Sequence, residues 1–244
     1  MPPIDVLLRK GNQGFNNPVA EVAAFSRRKE NECPIARTQY TRFYLTTNNK
    51  SETKIPSPSE EIVSYKALGN VDHPQLVQFT TSPFEAETEI TGHIMAHLGV
   101  SRSGIPGQNS PSDMDIFVTL RHFDVQGKEI FYTGSMGDPV PVVKGWLRVS
   151  LRKVNENHPR HRAYLPYREY RKANVQDAEA GKVCPVDIEL WPTNGIVGKG
   201  NTLALEVSSR DTQGTGIFGH YDPDDRSVFA TICCRFKPNT DMDY

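Results

Sequence analysis

The chain is short of cysteine, of net charge and of long apolar runs, and each shortage closes off a class of protein. Of 244 residues only four are cysteine: Cys33, Cys184, Cys233 and Cys234. No pair has the Cys-x-x-Cys spacing of a zinc ribbon or a thioredoxin-type site, and adjacent Cys233 and Cys234 have poor geometry for a mutual disulfide. The expectation is buried, reduced thiols in an intracellular protein. Lys and Arg number 28 against 29 Asp and Glu, a net charge of −1. Counterion release needs a basic surface, so no nucleic-acid or membrane partner is expected. No apolar stretch approaches the roughly 20 residues of a membrane span. The opening Met-Pro-Pro-Ile-Asp has no basic region followed by an apolar one, so there is no secretory signal and a cytoplasmic location is favoured.

Helical periodicity is also scarce. Val19–Arg28 reads as one short helix and Arg168–Gln176 as another half turn or two. What the chain has is turns and short alternating segments. Gly 18 plus Pro 18 make about 15% of the residues, against a usual sum of about 12%. A chain of this length buries roughly 70–75% of its unfolded surface, so it needs no disulfide or metal to hold it.

The strand candidates are Ile4–Leu8, Ile35–Leu45, Ile62–Leu68, Glu89–Val100, Asp115–Phe123, Glu129–Tyr132, Val142–Leu151, Val183–Leu190, Thr202–Val207 and Val228–Cys233. In Trp146–Arg152, Leu147, Val149 and Leu151 share one face, and Trp146, Arg148, Ser150 and Arg152 the other. Leu203, Leu205 and Val207 repeat the pattern. Such alternation marks half-buried antiparallel strands. Asp124–Lys128 reads as a hairpin turn in which Gly127 supplies a positive φ. About ten strands between turn signals predict an all-β sandwich or jelly roll. Asn48–Glu60 and Arg102–Ser112 are polar, Pro/Gly/Ser-rich surface loops within one domain spanning 1–244.

The motifs that could carry chemistry are thin. A nucleophile elbow needs Gly-x-Ser-x-Gly; Gly134-Ser135-Met136-Gly137 has the wrong spacing and reads as a hairpin or loop at a strand exit. His93 and His97 form His-x-x-x-His, but their surroundings alternate like a strand, where the two imidazoles stand about 13 Å apart and cannot chelate one ion. His158 and His161 form a loop pair. Asp113-Met114-Asp115 lacks the Gly and Glu of a calcium loop and reads as a turn that opens a strand. Arg160–Arg171 mixes arginines with tyrosines, a combination that can stack on single-stranded nucleic acid; the ordinary account is a long loop folded over a sheet. No catalytic, cofactor-binding or metal-binding residue is assigned, and no cofactor.

Gly145-Trp146-Leu147-Arg148-Val149-Ser150-Leu151-Arg152 is the most specific segment. Val186-Asp187-Ile188-Glu189-Leu190-Trp191-Pro192-Thr193-Asn194 follows a His/Pro/Tyr-rich loop, and Lys199–Ser209 with Asp211 comes after it. Together with Thr88–His93 and Asp113–Leu120, this order resembles the C-terminal domain of X-Pro dipeptidyl-peptidases, shared with cocaine esterase, α-amino-acid ester hydrolases and glutaryl-7-aminocephalosporanic-acid acylases. The likeness runs from about Pro3 to Arg226, and the tail Val228–Tyr244 departs from the family pattern.

The resemblance implies a galactose-binding-like jelly-roll β-sandwich with long loops. It also implies an α/β-hydrolase domain in cis, carrying a Ser–Asp–His triad with no matching position here. The chain therefore reads as a C-terminal portion beginning at Met1, without turnover of its own, and compatible with oligomer contacts. The alternative is a free-standing jelly roll that binds a sugar or peptide on Tyr164, Tyr167 and Tyr170. Within the motifs, Gly145 permits a bend or close packing, Pro192 ends a strand and Lys199-Gly200-Asn201 makes a tight turn. Trp146 is expected to pack under the Arg160–Arg171 loop.

Overall fold

A computed structural model describes residues 4–54, 61–67, 73–103, 113–212 and 229–234. In chain order the elements are β1 (Ile4–Leu7), α1 (Pro18–Ala24), β2 (Arg27–Glu30), β3 (Tyr44–Leu45), β4 (Lys50–Glu52), β5 (Glu61–Lys66), β6 (Leu76–Thr81) and β7 (Thr88–Arg102). Then come β8 (Asp115–Phe123), β9 (Tyr132–Thr133), β10 (Pro139–Val140), β11 (Val143–Arg148), β12 (Cys184–Val197), β13 (Thr202–Ser208) and β14 (Phe229–Cys234). The domain is all-β, with, among the described residues, one helix of 7 residues and two single 3₁₀ turns at Val149–Leu151 and Lys172–Asn174.

Of the two larger sheets, one has six strands in the order β11-β8-β13-β6-β4-β3 and the other four in the order β12-β7-β14-β5; β1–β2 and β9–β10 form separate two-stranded pairs. Pairing is antiparallel except between β4 and β6. Alternation decides which side chains enter the space between the sheets. Val77 and Phe79 of β6, Ile116, Val118 and Leu120 of β8, and Leu203 and Val207 of β13 come from the larger sheet. Ala96, Leu98 and Val100 of β7 meet them with Val186, Ile188 and Leu190 of β12. Period two in the sequence thus becomes one continuous core.

Buried polar groups in the sheets are tied to one another. Arg121 donates to Glu206 at 2.6 Å, to Glu129 at 2.7 Å and to Thr212 at 2.9 Å. His122, on the opposite face of β8, lies between the Tyr132 hydroxyl at 3.0 Å and the Asn201 amide nitrogen at 2.9 Å.

Several expected elements change shape. The helix read over Val19–Arg28 starts at Pro18, capped by Asn17 through Ala20 N–H, and stops at Ala24. Phe25 is drawn into burial, and Arg27–Glu30 pair with β1 instead. Of Ile35–Leu45 only Tyr44–Leu45 pairs, because Ile35 and Thr38 close a turn. The strand read to Leu151 ends at Arg148. Val149 N–H is captured by Met114 O and Ser150 N–H by Asp113 Oδ1, which winds the chain into a 3₁₀ turn while leaving Val149 fully buried. Arg168–Gln176 yields only the turn at Lys172–Asn174.

Strands β2, β4, β6 and β10 were not among the expected segments. Cys184 is buried as expected, but Cys33 is exposed, in the bend segment that follows β2. The side chains of Cys233 and Cys234, most of the Arg102–Ser112 loop, part of Asn48–Glu60 and the end of the tail lie outside the described residues.

Candidate functional site

Gly134-Ser135-Met136-Gly137 forms a hairpin, as its spacing predicts. Gly134 and Gly137 close the β9–β10 turn through Gly137 N–H to Gly134 O, and Gly137 has φ +83°. Asp124–Lys128 is likewise the expected turn, with Gly127 at φ +78° and Asp124 Oδ1 accepting from Gln126 and Lys128 N–H. Asp113 caps the backbone of Met114 and Ser150, and Asp115 holds Arg148.

What the structure does assemble lies on the outer face of the four-stranded sheet, where β12 and β7 run side by side. Asp187, Glu189 and Trp191 project from β12, and His93 and His97 from β7. The two histidines do not converge. His97 donates from Nδ1 to Asp187 at 2.7 Å, and this hydrogen bond holds the Asp187 carboxyl below its usual range. His93 Nδ1 stands 3.7 Å from Glu189 Oε1, and among the described residues that buried nitrogen has no hydrogen-bond partner. Burial pushes the Glu189 carboxyl upward, with His93 pulling it back.

The basic-aromatic loop covers this face, but not where it was expected to. Tyr164 tilts over His93 at 5.1 Å and stacks on Tyr40 at 5.7 Å. Tyr167 stacks on His158 at 3.5 Å. The faces of Tyr164 and Tyr167 are therefore taken, and neither serves as an open platform. Arg168 donates to Asp187 O and to Arg152 O, and its charge also acts on Tyr170, Asp187 and Glu189.

Trp146 escapes this cover. Its strand β11 is the edge of the six-stranded sheet and runs against β12, the edge of the other. Two local features bring the indoles together. Gly145 has no Cβ, which lets its backbone lie against the Glu189 carbonyl. On β12 the register shifts between Leu190 and Thr193, and the Trp191-Pro192 pair falls in that bulge. The expectation that Pro192 ends the strand is corrected: pairing resumes at Thr193 and continues to Val197, because a bulge tolerates a residue that cannot donate.

Trp146 and Trp191 meet across the seam with ring centroids 5.7 Å apart and planes inclined by 42°. Trp146 is 38% exposed and Trp191 63%. Beside them is a hollow of about 230 Å³ lined by Leu147 and Ile188 below and by Arg168, Tyr170, Asp187 and Glu189 around the sides. Tyr170 is 64% exposed and held at φ +42°, a left-handed conformation costly for a bulky residue. The loop thus rims the hollow rather than sealing Trp146.

The N-terminal arm is fastened nearby. Arg9 donates to Thr193 and Asn194 and lies over the Tyr132 ring at 5.1 Å. Burial lowers its pKa. Further along, Asn12 donates to Thr133, which in turn donates to Glu21 of α1. Glu21 faces the body, while Phe15, Val19, Val22 and, on the adjoining hairpin, Met136 are exposed.

Comparison with known proteins places this architecture. The family model described as the X-Pro dipeptidyl-peptidase C-terminal non-catalytic domain matches residues 1–241. A CocE/NonD family hydrolase from Staphylococcus aureus superposes with a TM-score of 0.77 at 21% identity, over 96% of this chain and 39% of that one. An α-amino acid ester hydrolase superposes at 0.59 with 14% identity, again over 96% and 39%. A Mycobacterium bovis protein named "Putative serine esterase Mb1866c" is 23% identical over 137 residues, 56% of this chain and 19% of that protein. The chain thus spans well under half the length of these relatives.

Proposed function

The chain belongs to the X-Pro dipeptidyl-peptidase C-terminal non-catalytic domain family, and from that premise we propose that it is the accessory β-domain of a serine hydrolase of the dipeptidyl-peptidase or esterase type. Its role is to pack against an α/β-hydrolase catalytic domain, and the chain alone turns over no substrate. The observation that carries this reading is the pair of coverages. The family match takes in residues 1–241, yet the chain spans only 39% of the hydrolases that share its fold.

The outward apolar side of α1 supports it. A surface helix ordinarily turns its apolar stripe inward. Here Glu21 is turned toward the body and Val19 and Val22 away from it, beside exposed Phe15 and Met136. A cluster of this kind marks a surface that another domain covers.

The strand order supports the jelly-roll form of the sandwich, of the galactose-binding-like kind, as one domain over 1–244. From β5 to β8 successive strands alternate between the sheets, and from β11 to β14 they do so again.

The test is direct. The purified chain, incubated with X-Pro-nitroanilides, short acyl esters and a fluorophosphonate probe, is expected to give neither turnover nor a labelled serine, Ser135 included. Turnover accompanied by stoichiometric labelling of any serine would overturn the reading.

A further inference from the structure

We propose that the hollow beside Trp146 and Trp191 binds an organic ammonium cation, with the indoles and Tyr170 as its aromatic walls and Glu189 as its counter-ion. This site is independent of the accessory role, which concerns a different surface.

Three aromatic side chains from three separate segments line one small space: Trp146 from β11, Tyr170 from the covering loop and Trp191 from the β12 bulge. An aromatic ring carries negative potential on its face and attracts a cation within about 6 Å of its centroid, most strongly when the ring is an indole. The two indoles are inclined rather than parallel, so they form a notch and not the flat platform that suits a sugar ring. The left-handed φ at Tyr170 is a second sign, because strain of this kind persists where a side chain must be presented in one direction.

The charges around the hollow settle the sign of the ligand. Two carboxylates, Asp187 and Glu189, stand against one guanidinium, that of Arg168, which is held by the carbonyls of Asp187 and Arg152 and also acts on Tyr170 and on both carboxylates; Asp187 is further paired with His97. Glu189 is the less compensated of the two carboxylates: burial disfavours its charge, and His93, 3.7 Å away at Nδ1, and Arg168 only partly offset that. An arriving cation would relieve that cost, whereas an anion would add to it. Size sets the class further. At about 230 Å³ the hollow is below the roughly 300–1,000 Å³ of pockets for drug-sized ligands. It suits a methylated ammonium head group, either a free small molecule or the end of a modified lysine side chain.

The experiment uses the full chain with choline, with its uncharged carbon analogue 3,3-dimethylbutan-1-ol, and with a short peptide bearing trimethyllysine. Tryptophan fluorescence and calorimetry follow binding. Saturable choline binding is expected, with the neutral analogue at least tenfold weaker. Trp191→Ala and Tyr170→Ala are each expected to weaken binding at least tenfold, and Glu189→Gln several-fold. Tighter binding of the peptide than of choline would assign the cation to a protein partner, and equal binding to a free metabolite. Trp191 and Tyr170 are mostly exposed and Glu189→Gln keeps the shape of its side chain, so unchanged circular dichroism and melting keep the comparison valid. Equal affinity for the neutral analogue, no saturation by either cation at tens of millimolar, or full binding by Trp191→Ala would each overturn the proposal. So would saturable binding of cellohexaose displaced by neither cation.

Discussion

Gly145 and Glu189 meet where the two sheets close on each other: a Cβ on Gly145 would stand 2.1 Å from the Glu189 carbonyl oxygen and 3.0 Å from Leu190 Cα. Both obstacles are backbone, so neither can rotate away. The glycine is therefore a spacing device rather than a bend, and it fixes how near β11 comes to β12.

Gly145→Ala is expected to destabilise the domain by about 1–3 kcal/mol, the usual cost of forcing added volume into a packed site. It should also separate the two indoles, seen as a change in tryptophan fluorescence. Denaturant melts of both forms check this. A loss under about 0.5 kcal/mol would mean that the sheet edges part without resistance.

Arg121 joins two carboxylates in a nearly dry place, donating to Glu206 and Glu129. Arg121→Met should cost about 3–5 kcal/mol, because it strands buried negative charge. Adding Glu206→Gln to that variant should recover part of the loss. Equal stability of the single and double variants would contradict the pairing.

His122 gives the stability a slope with pH. The Asn201 amide N–H points at Nε2, so Nδ1 carries the ring proton and donates to Tyr132. Burial lowers the folded-state pKa of His122, with Asp124 pulling the other way, and burial also pushes the Tyr132 hydroxyl up to about 12. Tyr132 therefore stays neutral near pH 7 and cannot supply a counter-charge. The unfolded chain takes up the proton near pH 6.5. The contribution is thus complete above that value and is lost as pH falls through the lower folded-state pKa. Melts across that range should show a decline that His122→Gln reduces; identical pH dependence in both proteins would refute it.

Much of the fold was legible because alternation and burial coincide. Asp115–Phe123 is read at its observed bounds because a mostly apolar run, buried on both faces, lies between two acidic turns. Strand β6 escaped notice although it alternates in burial, because Gln78, Thr80 and Thr81 dilute its hydropathy. Val149 misled in the opposite way. It is as apolar and as buried as a strand residue, yet the carbonyl of Met114 draws its N–H out of the ladder. The resemblance was legible from the Gly145–Arg152 and Val186–Asn194 segments, and the family match bears it out.

The candidate site was less legible. Both tryptophans stood out in the sequence, but their meeting depends on a bulge and on the approach of two sheet edges. Neither feature has a local signature. Tyr164, Tyr167 and Tyr170 looked alike as a group, and only the fold separates the two that stack on partners from the one that stays open.

The position of β14 bears on how the protein is made. Among the described residues it comes after every other strand but sits inside its sheet, between β7 and β5. During synthesis β5 and β7 are both finished long before the strand that joins them, and each waits with an open edge. Ribosome-bound intermediates must therefore keep these two unpaired strand edges apart until β14 has been translated, a period in which such edges invite wrong partners.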